Sequence, residues 1–207
     1  MISARKLRRE SEQTAKTLGY VVASDLPTVD ISRLRPQRDI EDRTLVLFCV
    51  ASVAHGSNAL RAMEWLQAES LLTASSKDER TFLEGDTSKL VLFRAQEEAL
   101  WALCWALGLV PDLDFAQYCA PTLSTLFPRI AEGEGAQVFR EKCALRPLAV
   151  VLRKLDLAYC LSWAIRQASI ERSDMPGKVR PYVILERRRA LEWMTGEDEW
   201  GDISLDT

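Results

Sequence analysis

One run constrains this chain more than any other. Between Glu98 and Gly108 every residue is apolar, in the order Ala-Leu-Trp-Ala-Leu-Cys-Trp-Ala-Leu. Ala and Leu are among the strongest helix formers, so the run reads as helix. A surface helix carries one apolar stripe, whereas a helix apolar on all sides has to be covered on most of them. The run is short and has a polar lead-in of Arg94, Gln96, Glu97 and Glu98. That excludes a bilayer span, which takes about 20 apolar residues. The expectation is a central buried helix near residues 89–107, opened after Asp86-Thr87-Ser88 and stopped by Gly108 in a left-handed conformation.

A buried helix needs others to cover it, and the flanking sequence supplies them. Leu7, Ala15 and Leu18 mark an exposed amphipathic helix over 3–18, ended by Gly19. Val21 to Ala23 read as a short extended piece. Ile40, Leu45, Leu47, Phe48, Val50 and Ala51 give a second helix from about Arg38 to His55, stopped by Gly56. A third runs from Asn58 to Leu72 with Ser57 as its cap. Ser75 with Asp78 three residues on resembles a capping box for a short helix that ends at Gly85. Beyond Gly108 come a Val110-Pro111-Asp112 turn and two short helical pieces within 112–131, interrupted at Pro121 and Pro128. Glu132-Gly133-Glu134-Gly135 then forms a flexible connector. Pro147 suits the first turn of a long helix near 147–172, closed by Met175-Pro176-Gly177. Pro181 opens the last helix and Gly196 closes it. The fold class expected is all-α: a single-domain multi-helix bundle over 1–207, with 197–207 as an acidic C-terminal tail.

Composition narrows the function classes. The 207 residues suffice for one core, and a net charge of -3 gives no basic field to attract nucleic acid. Five cysteines (Cys49, Cys104, Cys119, Cys143, Cys160) are scattered without a Cys-x-x-Cys pair. They read as reduced thiols of a cytoplasmic protein rather than a disulfide framework or a zinc site. The basic start, Met1 to Glu10, lacks the apolar run of a signal peptide, and no segment is long enough to cross a membrane. A single histidine, His55, leaves no His-rich metal site and no Glu-x-x-His pair. No metal, no cofactor and no phosphate-cradling glycine loop is expected.

Three polar positions fall inside apolar patterns: Glu98, Asp156 and Glu186-Arg187. A buried charge has to be paired, and Arg94, Arg153 and Arg187 are the partners at hand. Two readings follow. In one, Arg94, Glu98, Asp156 and Arg187 form a structural ion network that sets helix register. In the other, Glu98 and Asp156 line a cleft as a general acid/base pair beside Arg187. His55 lies at a helix C-terminus with no nucleophile motif near it, which favours a capping role. The run Arg187-Arg188-Arg189 points three ways around a helix and has no aromatic interleaving for nucleic acid. Of the six tryptophans only Trp200 falls outside a helical pattern, either folded back on the bundle or offered to a partner.

Several segments, taken in order, carry a family resemblance. They are Glu98 to Gly108, Leu145-Arg-Pro-Leu148, Leu155-Asp-Leu-Ala-Tyr159, Ser162-Trp-Ala164, Glu186 to Trp193 and the closing Trp200 to Thr207. The chain resembles the bacterial domain of unknown function 4272 family over most of its length. That resemblance implies no activity. Where the family pattern has an Arg and a His, this chain has Cys160 and Ser162, and Arg188 stands near a further His of that pattern. A polar site built on those groups is therefore not expected here. With no catalytic motif in sight, the expected function is a non-enzymatic, cytoplasmic protein-binding protein. It would be an immunity protein that neutralises a bacterial toxin such as a nuclease, using Glu197, Asp198, Glu199, Trp200 and Asp202 or the Glu64–Glu69 and Asp78–Glu84 surfaces. The alternative is an enzyme or small-molecule binder with an acid/arginine cleft at Glu98, Asp156 and Arg187. Exposed faces of the first and third helices would also accommodate a homodimer.

Overall fold

The computed structural model describes residues 3–28 and 33–205, and its regular structure is helical throughout, without a strand among those residues. The elements in order are α1 (Ala4–Thr17), α2 (Gln37–Ala54), α3 (Ala59–Ala68), α4 (Lys77–Leu83), α5 (Leu90–Ala95), α6 (Glu97–Ala106), α7 (Gln137–Arg140), α8 (Leu148–Glu171) and α9 (Pro181–Thr195). Short 3-10 turns lie at Leu72–Ala74, Leu123–Leu126, Ile130–Glu132 and Trp200–Asp202. The chain is an all-α single domain.

Layering follows the apolar patterns. α6 is packed between α2 and α9, and α8 lies across α9 with α1 on its other side. From Ala99 to Leu107 only Trp101 keeps partial exposure, as a helix apolar all round requires. Gly108 at φ 76 closes α6 in a Schellman arrangement. Its N–H donates to Trp105 O (3.0 Å) and that of Leu109 to Cys104 O (3.0 Å).

Local differences from the sequence expectations have physical causes. The buried helix fills only the later part of the span 89–107, because the chain bends at Gln96 and α5 is a surface turn with Phe93 as its one buried side chain. Phe93 meets Phe82 with ring centroids 4.6 Å apart, tilted, which fixes α5 against α4. Asn58 rather than Ser57 caps α3, accepting from Arg61 N–H (2.9 Å). The capping box of α4 sits one residue later than Ser75 and Asp78. Ser76 accepts from Glu79 N–H (3.3 Å), and the Glu79 carboxylate accepts from Ser76 N–H (2.8 Å). Pro147 stands just before α8 rather than inside it, and that helix ends at a left-handed Arg172, ahead of the Met175-Pro176-Gly177 turn. The connector around Gly133 is tied down: the Trp65 indole donates to Glu134 O (2.8 Å), and Arg129 N–H donates to the Glu134 carboxylate (2.9 Å).

Candidate functional site

Glu98 opens α6 and points inward against α9. Its Oε2 accepts from Arg187 Nη2 (2.6 Å) and Nε (2.9 Å), and its Oε1 from Cys119 N–H (3.0 Å). Both side chains are sealed, with 0% and 1% exposure. Arg187 also donates to the carbonyls of Asp114 and Gln117 (the latter 2.9 Å), so one guanidinium pins the irregular 109–122 segment onto the helix pair. With two arginine nitrogens and a backbone N–H on one carboxylate, this is a fully satisfied buried pair.

Asp156 lies elsewhere, on α8, and its partner is none of the arginines expected. Arg8 of α1 donates to it from Nη2 (2.7 Å) and Nε (3.1 Å), with side-chain exposures of 5% and 1%. Arg8 further donates to Pro27 O (2.6 Å) and stands over the Tyr159 ring, whose surroundings also include Arg188. The other two arginines are spent differently. Arg94 Nε caps the end of α2 through Ala54 O (2.8 Å), and Arg153 meets Glu10 at the surface. Glu98 and Asp156 therefore head two separate ion pairs instead of one network. Neither lines any of the cavities described below. Sequence did hold a signal for Arg8: it is spaced three and seven residues from Ser11 and Ala15, which with Leu7 are the other buried positions of α1.

A third sealed pair, Arg43 with Glu79, joins α2 to α4, and Arg43 Nη1 also reaches Ala74 O (3.0 Å). Glu79 thus serves the capping box and the ion pair together. Arg140 of α7 meets Asp42 (2.7 Å) and Glu41 (3.3 Å) of α2. Cys160 and Ser162 are buried on α8, and Ser162 Oγ has no hydrogen-bond partner among the described residues.

The tail folds back. Trp200 is buried, edge-on to Trp193 (centroids 5.8 Å apart) and covered by the Arg43 guanidinium at 4.8 Å. It anchors the tail and is not offered on the surface as a partner-binding side chain. Glu197, Asp198, Glu199 and Asp202 around it are exposed. Arg33 meets Glu197, and Arg35 donates to Trp193 O (2.7 Å) and Asp198 O (2.6 Å). The final acid, Asp206, lies outside the described residues.

An open concave surface lies at another place. Gly56, at φ 102, turns the chain sharply between α2 and α3, and the 119–132 segment runs opposite this corner. Two cavities of about 680 Å³ and 520 Å³ open there and share Phe48, Ser52, Ser57 and Ser124, so they form one groove. At its smaller end His55 Nε2 lies 3.1 Å from Glu97 Oε2. Sequence reasoning placed Glu97 in the polar lead-in of the buried helix but not beside His55, because the two residues are 42 positions apart in the chain.

Cys119 borders the same end, but burial pushes its thiol up to about 12, with Glu98 and then Glu97 adding to the effect. A thiol held neutral in this way is a poor nucleophile. Burial likewise raises Cys143 and Cys160 to about 12, and Cys49 and Cys104 higher still. All five cysteines are free. Among the described residues no group of three or more His, Cys, Asp or Glu side chains is placed to hold a metal ion. No helix among them is long and apolar enough to cross a membrane.

The model of the family described as "Domain of unknown function (DUF4272)" matches residues 7–203, nearly the whole chain. The chain belongs to that family. The match runs from within α1 through the Trp200–Asp202 turn, so the buried pairs, the groove and Trp200 all fall within the family domain. No curated protein and no solved structure matches the chain.

Proposed function

We propose that this chain is a non-enzymatic protein-binding protein of the bacterial cytoplasm, an immunity protein that neutralises a toxin such as a nuclease by direct contact. One observation carries the reading. The carboxylates best suited to acid–base work, Glu98 and Asp156, are each closed off by an arginine and line neither cavity of the groove. A general acid or base has to reach substrate within hydrogen-bond distance, and neither of these can without unfolding its surroundings. The exposed acids of the tail, held in place by buried Trp200, give a preorganised negative edge. A nuclease with a basic substrate groove is the kind of partner that such an edge attracts, through steering and complementarity. Free thiols, three of the five buried, suit the reducing cytoplasm.

The test is co-expression with the product of the adjacent gene, followed by size-exclusion chromatography and a nuclease assay. A co-eluting complex with suppressed nuclease activity is the expected result. Reversing Glu199 and Asp202 to lysine should slow association about 10-fold at low salt, with less effect at high salt. An adjacent toxin that forms no complex with this chain rejects the assignment for that pair.

A further inference from the structure

The groove between α2, α3 and the 119–132 segment has a chemistry of its own. Each of its cavities is within the size range of ligand sites. The smaller one is floored by Phe48, Ala51, Leu100 and Leu123, and Glu97 is the only Asp, Glu, Lys or Arg among its lining residues. The negative charge of this end is that of Glu97, because Arg187 neutralises the adjacent Glu98. The C-terminal end of α2, whose carbonyls carry negative partial charge, faces the same corner with Arg94 on Ala54 O. Arg94, bonded to Ala54 O, does not line the cavity, and His55 engages one of the two carboxylate oxygens of Glu97.

An apolar floor ending in one carboxylate fits a cation on an aliphatic stem. Beyond this end the groove continues over Ala62, Phe127 and Ile130. There the flanking arginines are already engaged, Arg61 with Ala131 O and Arg129 with Glu132 and Glu134. Such a continuation suits a length of polypeptide better than a small amine.

We propose that this groove is where the protein partner docks, with an arginine or lysine of the partner seated at Glu97 and its stem lying on Phe48, Leu100 and Leu123. The inference rests on the protein-binding reading above and names the anchor that reading lacks. An arginine here gains a charge-assisted hydrogen bond in a partly desolvated setting, the kind of contact that dominates interface energetics.

The closing experiment needs no partner. His55 is the single histidine, so its imidazole NMR signals are assigned without further work. They are followed while N-acetyl-arginine methylamide is added, and in parallel its neutral near-isostere N-acetyl-citrulline methylamide. The expected result is a saturable millimolar shift with the arginine probe, about 10-fold weaker with citrulline. The same loss is expected with arginine on Glu97→Gln, whose fold is checked by circular dichroism. Equal response to the two probes, no saturation with either, or full arginine binding by folded Glu97→Gln each overturns the proposal. If Glu97→Gln does not fold, the probe comparison on the parent protein decides alone. Absence of a complex with a neighbouring toxin counts against the protein-binding reading, whereas failure here removes only the anchor.

Discussion

Replacing Glu98 by alanine removes the acceptor of three donors at once: Arg187 Nε at 2.9 Å, Arg187 Nη2 at 2.6 Å and Cys119 N–H at 3.0 Å. Arg187 is 1% exposed, so its charge has no water to turn to, and its remaining bonds to the carbonyls of Asp114 and Gln117 do not neutralise it. Removing one member of a buried pair costs about 3–5 kcal/mol. For a chain of this length that corresponds to a fall in Tm of roughly 6–20 °C. Urea unfolding followed by tryptophan fluorescence measures it as a lower midpoint with an unchanged slope. Glu98→Gln should lose less, since an amide oxygen still accepts from Cys119 N–H. The double change Glu98→Leu with Arg187→Met should destabilise less than the sum of its parts, because it leaves no unpaired charge. It does not restore the parent stability, because the Gln117 carbonyl and the Cys119 N–H then lose their partners and the Asp114 carbonyl loses its arginine. A Glu98→Ala protein within about 1 kcal/mol of the parent would refute the reasoning.

Two further outcomes follow from the same physical reading. Gly177→Ala should destabilise by about 2–5 kcal/mol in urea, since φ there is 85° and a Cβ would lie 2.6 Å from Tyr20 Cε2 and closer still to its hydroxyl and Cζ. Tyr20→Phe should not rescue it, as the ring itself is in the way; a neutral Gly177→Ala would show that the turn and the Tyr20 ring are not packed as described. Stability should also fall with rising pH above the ordinary thiol value of 9.0: the unfolded chain sheds protons there that folded Cys119, Cys143 and Cys160 keep until about 12. The contribution is complete below 9.0 and lost towards 12, so urea midpoints that stay flat through this window, or that do not flatten when the three are changed to serine, would count against it.

The helices themselves were legible because their signals are local. The α6 run announces burial by composition, and Gly19, Gly56, Gly85 and Gly108 stop helices at positive φ, where a side chain would be strained. The capping box of α4 was legible to within one residue: Ser75 and Ser76 are chemically alike, and only the backbone decides which hydroxyl faces the helix N–H groups. The bend at Gln96 was not legible, since Leu90 to Ala106 has no breaker and Phe93 had first to meet Phe82.

The candidate site divides along the same line. That Glu98, Asp156 and Arg187 would be buried charges in need of partners could be read from their place in apolar patterns. Which arginine serves which carboxylate could not, because Asp156 and Arg8 are 148 positions apart and meet only when α1 lies across α8. The His55–Glu97 contact and the groove beside it are likewise products of a corner between α2, α3 and α6. Periodicity, composition and caps act within a few residues along the chain, so the sequence by itself determined an all-α chain with a sealed central helix. Ion pairs and clefts depend on how helices cross, and that was decided by the tertiary structure alone.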